Sequence, residues 1–216
     1  MARQSRQLEE ARKDPDRLLD EINDLPLLHR TPSSWAECAQ SNIAEFLSDH
    51  AFCEQQAALT ALHLVGLYAD DEELVDRMTS LAAEEIAHLR RVAAILHRRG
   101  LHPRRRRTSS YATALHGRIT RGDRWAKIDR LLVGALIEAR SCERFTTLLH
   151  RLIGKDDEIA ELLLDLGPAE KRHWRMFHGL AARDCPVDEL EARWKGWLEF
   201  EAEQMRPRGI APQVHG

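Results

Sequence analysis

Leu81-Ala-Ala-Glu-Glu-Ile-Ala-His88 sets Glu85 and His88 three residues apart in a strongly helical segment. On a helix that spacing sends a carboxylate and an imidazole off one face, one turn apart. The pattern returns as Glu170-Lys-Arg-His173, and each copy follows a long helical stretch carrying a glutamate at matching depth. Glu54 precedes Glu85 by 31 residues, and Glu138 precedes Glu170 by 32. A lone Glu-x-x-His is a weak signal, because helices are rich in both residues. Four glutamates and two histidines spread over four helices are the donor set of a carboxylate-bridged di-metal centre in a helical bundle.

Working outward from these motifs, the chain reads as helices throughout. Residues 1–30 are polar, with one apolar cluster, Leu25-Pro-Leu-Leu28, and read as a frayed or short helical arm. Thr31-Pro-Ser-Ser34 starts a helix expected to run from Trp35 to about Tyr68. Leu47, Ala51, Ala57, Ala58, Ala61 and Leu62 surround Glu54 at helical spacing, so its carboxylate lies in an apolar stripe. A buried carboxylate must be neutral, paired or bound to metal. The acidic turn 69–72 sends the next helix, about Glu73 to Arg99, back antiparallel, with Gly100 as its C-terminal cap. Within it Glu85, not Glu84, has the three-residue offset to His88.

From Leu101 to about Arg124 the pattern breaks into a crossover with Pro103, four arginines (Arg104 to Arg107) and a short helix near Tyr111 to Ile119. The third long helix, about Trp125 to Ile153, offers two candidate donors. Glu138 has mostly small or apolar neighbours and lies as far from its following turn as Glu54 does from its own. Glu143 has a polar face with Arg140, Thr147 and His150, yet Cys142-Glu143 is similar to Cys53-Glu54. The fourth helix, about Glu158 to Arg183, holds Pro168 two residues before Glu170, where a kink is expected. A last amphipathic helix carries Trp194 and Trp197. The expected organisation is an arm (1–30), a bundle (31–185), an appended helix (186–205) and a flexible tail (206–216). The expected fold is all-α, a ferritin-like four-helix bundle with a long crossover and extra terminal helices.

The composition is 43% hydrophobic and 31% charged, enough apolar material for one well-buried domain. No apolar run is long enough to span a membrane, and the charged N-terminus lacks the apolar core of a signal peptide. Four cysteines without Cys-x-x-Cys spacing read as thiols in a reducing, cytoplasmic compartment. The net charge of −3 is uninformative, but basic residues dominate between Arg90 and Arg130 and suggest a polyanionic partner. His50, His63, His97, His116, His150 and His178 lack a matching carboxylate and read as surface or ordinary core histidines. Carboxylate-rich donors with a little imidazole suit iron or manganese better than zinc or copper.

Four stretches add a more specific signal. Leu47-Ser-Asp-His-Ala-Phe-Cys-Glu-Gln-Gln-Ala-Ala-Leu-Thr-Ala61, Glu84-Glu-Ile-Ala-His88, Leu132-Val-Gly-Ala-Leu-Ile-Glu-Ala-Arg-Ser-Cys-Glu-Arg-Phe145 and Glu170-Lys-Arg-His173 resemble the MiaE family over about residues 25 to 185. These are tRNA hydroxylases of 2-methylthio-N6-isopentenyladenosine at position 37. The resemblance implies a non-haem di-iron monooxygenase, with two iron ions per chain, O2 as co-substrate and an external electron donor or reductase. It implies Glu54, Glu85, His88, Glu138, Glu170 and His173 as ligands, and the anticodon stem-loop of tRNA as partner. Arg98, Arg99, Arg104, Arg105, Arg106 and Arg107 would then meet its phosphates. Arg140 and Arg144 read as pairing partners between helices. Three other readings share much of this sequence: a ferritin-like iron oxidase or store, a di-iron oxygenase of another small substrate, and a metal-free bundle.

Overall fold

The computed structural model describes residues 2–104, 108–122, 124–206 and 210–215, with the side chains of residues 2–5 aside. Among these residues the regular structure is helical and no strand occurs. In chain order the helices are α1 (Ala2–Lys13), α2 (Asp16–Asp20), α3 (Ser33–Ser41), α4 (Ile43–Leu67), α5 (Glu72–Arg98), α6 (Ser110–Gly117), α7 (Arg124–Leu152), α8 (Asp157–Arg183) and α9 (Val187–Gln204). No helix among them is long and apolar enough to cross a membrane.

Packing divides the chain into two units. The smaller holds α4 and α5 with residues 212–214. Its two helices pack along each other across the turn at Tyr68 to Asp71. Asp71 begins α5 by accepting the Leu74 N–H at 3.1 Å, a cap typically worth about 1 kcal/mol. The helix stops at a left-handed Gly100, φ +69°. Leu101 N–H reaches the Leu96 carbonyl at 2.8 Å and Gly100 N–H that of His97 at 3.0 Å. This paired closure satisfies carbonyls that would otherwise be orphaned, and only glycine adopts the backbone without strain.

The larger unit is built on α7, packed against α2, α3, α6, α8 and α9. Leu131, Leu132, Val133, Ala135, Leu136 and Ala139 are all buried, and with the polar side chains it also encloses, the helix is covered over most of its circumference. At Gly134 a Cβ would meet the Phe177 ring at 2.9 Å, so the absence of a side chain there lets α7 and α8 approach closely.

Two expectations change in detail, the unbroken first long helix and the flexible tail, while the arm is helical as expected. The helix expected from Trp35 to Tyr68 is two helices, interrupted at Asn42 (φ −127°, ψ 44°). Ser41 and Asn42 are weak helix formers whose side chains compete for the backbone. The N-terminal arm contains α1 and α2 and buries Leu8, Leu18, Ile22, Leu25 and Leu27, the apolar side chains that pay for its ordering. The tail was expected to be flexible, yet its described end is packed. Val214 is buried and donates its N–H to Asp49 at 2.7 Å. His215 stacks on Tyr111 and bonds Ser141 at 3.2 Å. Pro168 lies inside α8, which continues through it.

Candidate metal centre

In the smaller unit, α4 supplies Glu54 and α5 supplies Glu85 and His88 one turn apart. One donor atom from each lies within 4.8 Å of the other two. His88 Nδ1 is 3.2 Å from Glu85 Oε2 and 3.6 Å from Glu54 Oε2. Its Nε2 is turned toward Glu84, 3.9 Å away on the half-open side. Burial alone would lower the His88 pKa, but hydrogen bonds to Glu54 and Glu85 overcome it and raise the imidazole to about 9. Burial raises the Glu54 pKa, and hydrogen bonding with the Glu85 carboxyl adds to it. His50 and His88 pull the other way.

In the larger unit, α7 supplies Glu138 and α8 supplies Glu170 and His173. Their donor atoms also lie within 4.8 Å of one another. His173 again turns Nδ1 toward the glutamate of the partner helix, 3.7 Å from Glu138 Oε2. All six residues are at most 5% exposed. Carboxylates that crowd together away from water repel each other and lose hydration, so a cation is the natural compensation. Oxygen donors with one imidazole per triad fit iron or manganese.

Glu143 has a different task. It is buried, and its carboxylate accepts from the Thr31 N–H at 2.7 Å and the Thr31 hydroxyl at 2.5 Å. Arg140 donates to it at 3.0 Å. The same guanidinium grips Glu201 of α9 with Nε and Nη2 at 2.9 and 3.1 Å and bonds the His29 carbonyl at 3.1 Å. Tyr111 adds its hydroxyl to Glu201 at 3.1 Å. The polar face that sequence assigned to Glu143 is therefore a buried ion network tying α7 to the arm, α6 and α9. Arg140 and Arg144 both work between elements, Arg144 through Thr31 at 3.3 Å and the Trp35 ring at 4.7 Å.

His50 corrects the sequence reading. It is fully buried, and its Nε2 lies 2.5 Å from Glu54 Oε1. The signal in the sequence is the four-residue offset from Glu54, which places both side chains on one face of α4 outside the Glu-x-x-His pattern. Glu201 had no such signal, since its partner is 61 residues away.

The basic crossover is partly visible. Arg104 pairs with Glu45 at 2.9 Å, and its backbone N–H donates to Ser48 at 2.7 Å. Arg98 is exposed and Arg99 half-buried at the end of α5. Arg105, Arg106 and Arg107 lie outside the described residues.

A family model described as tRNA-(MS[2]IO[6]A)-hydroxylase (MiaE) matches residues 17–216. A tRNA 2-(methylsulfanyl)-N(6)-isopentenyladenosine(37) hydroxylase of Pseudomonas putida is 37% identical over 70% of this chain and 72% of its own length. A Salmonella typhimurium protein of the same name is 28% identical over 80% of this chain and 81% of its own length. Among solved structures, a Synechococcus protein with aldehyde deformylating oxygenase activity superposes with a TM-score of 0.83 at 30% identity, covering 88% of this chain and 95% of that one. The helices thus form a ferritin-like, all-α fold, and with the family match reaching almost the whole chain, this protein belongs to the MiaE family of tRNA hydroxylases.

Proposed function

We propose that this protein is a non-haem di-iron, O2-dependent monooxygenase that hydroxylates the isopentenyl group of 2-methylthio-N6-isopentenyladenosine at tRNA position 37. The observation that carries the reading is the pair of buried Glu plus Glu-x-x-His triads in a chain of this family. Glu54, Glu85, His88, Glu138, Glu170 and His173 would hold two iron ions. Bound there, iron would supply oxygen activation: one oxygen atom would enter a C–H bond and the other leave as water, with two electrons from an external donor and two protons from solvent.

The protein's own residues prepare that chemistry. The carboxylates offset the charge of the cations, and the imidazoles present Nδ1 on the same side as the carboxylates. His50 holds one oxygen of Glu54, leaving the other toward His88. Burial keeps bulk water from a reactive site. Arg98, Arg99 and Arg104 to Arg107 would meet the phosphates of the anticodon stem-loop. The protein would work in a cytoplasmic compartment, where tRNA and a reductase are present.

The test is iron-loaded protein, a chemical reductant and O2 acting on tRNA that carries the isopentenylated nucleotide. Digestion and mass spectrometry should find that nucleoside heavier by one oxygen atom. Iron bound but the nucleoside untouched would sink the substrate assignment. The likeness to an aldehyde deformylating oxygenase favours a small-molecule substrate as second reading, and turnover of a long-chain aldehyde in place of RNA would select it.

A further inference from the structure

Outside the two triads, the larger unit contains a cavity of about 550 Å³, within the usual range of about 300–1,000 Å³ for small-ligand pockets. Its wall contains the aromatic residues Trp35 and Tyr111, with His215 stacked on Tyr111 at 5.2 Å and 5° between planes. Arg144 lies in the wall over Trp35, almost fully buried, while Arg30 and Arg206 are exposed lining residues. Among the described residues no aspartate or glutamate lines it. The nearby carboxylates Glu143 and Glu201 are gripped by Arg140.

We infer that this cavity is a nucleotide subsite, which takes a nucleotide of the RNA substrate other than the one that reacts. The inference rests on the RNA reading above for the source of the nucleotide, and on the cavity alone for its chemistry. Three guanidinium groups with no acid among the lining residues select an anion, and a phosphate matches the planar fork of arginine. The exposed apolar side chains of Pro32 and Ile210, with half-buried Met205, give the body of a base an apolar wall to lie against. Arg144 agrees with this: burial, and next the like charge of Arg140, lower its pKa to about 10, a balance that an incoming anion would reverse. The site is also separate from the chemistry along α7. Arg144 follows Glu138 by six residues, about 9 Å along the axis and well round the helix.

The experiment uses iron-loaded, full-length protein and two probes, adenosine 5′-monophosphate and an isopentenylated anticodon stem-loop. Binding is followed by calorimetry, with adenosine as the uncharged control. We expect the monophosphate to bind at least about tenfold tighter than adenosine, because the arginines recognise the phosphate. It should also compete with the stem-loop. Arg30→Ala with Arg206→Ala, both on exposed side chains, should weaken both probes about tenfold and raise KM for RNA with kcat and iron content unchanged. Arg144→Met should do the same if circular dichroism finds it folded; the exposed pair keeps the test decisive if it is not. Unchanged affinity for both probes in the exposed pair overturns the inference, as does adenosine binding as tightly as its monophosphate. Monophosphate that binds without displacing RNA overturns the RNA source and makes this a free-nucleotide site. If wild-type protein leaves RNA unmodified while the monophosphate still binds and the variants weaken it, the hydroxylase reading fails and the nucleotide chemistry of the cavity stands.

Discussion

The α4–α5 triad and the α7–α8 triad repeat one pattern, but the position four residues before the first glutamate differs. On α4 it is His50, whose imidazole holds Glu54 at 2.5 Å. On α7 it is Gly134, where the Phe177 ring leaves no room even for a Cβ. The hairpin orients its carboxylate from within its own helix, whereas α7 is steadied by what surrounds it. Leu59, Leu62, Leu67 and Ile86 of the hairpin are exposed, while α7 buries even Arg140, Glu143 and Arg144. A repeated side-chain motif therefore does not imply repeated support, and the two halves should respond differently to substitution.

The largest effect tests what they share. Glu54→Ala and Glu138→Ala should each abolish hydroxylation and lower bound iron from about two ions per chain, read by metal analysis. Glu143→Ala should keep its iron and lose stability instead. Iron retained by Glu138→Ala and lost from Glu143→Ala would reverse the assignment on α7.

Support around α7 comes next. Arg140→Met leaves Glu143 and Glu201 buried without their shared cation, which should cost about 3–5 kcal/mol in urea unfolding. An unchanged midpoint would mean that the network is not what ties α7 to α9. On the hairpin, His50→Ala should weaken iron binding about 10–100-fold with little change in melting temperature, and His50→Gln should restore part of it. Equal iron affinity in both variants and wild type would remove His50 from any positioning role.

The smallest effects contrast two glycines. Gly134→Ala must displace the Phe177 ring and should cost about 1–3 kcal/mol. Gly66→Ala on α4 meets nothing within 4 Å and should gain up to about 1 kcal/mol from helix propensity. Thermal melts of the two proteins check both, and shifts of the same sign would erase the contrast.

Much of this was legible in the chain because it is periodic. A three-residue offset inside an apolar stripe specifies a helix face whatever the rest of the protein does, so Glu85 with His88 and Glu170 with His173 could be paired from sequence. The same local logic located the acidic turn after α4 and the glycine stop after α5, and the resemblance carried by Leu132 to Phe145 pointed to the family later matched across residues 17–216. Tertiary structure alone revealed the rest. Glu138 and Glu143 are both buried on α7, and only the positions of Thr31, Arg140 and His173 separate a carboxylate that faces a triad from one that seals a joint. The packed tail end at Val214 and His215, and the Arg140–Glu201 pair, join residues far apart in the chain. Helical periodicity acts over a few residues, while such long-range pairings depend on where the folded chain returns, which no local pattern encodes.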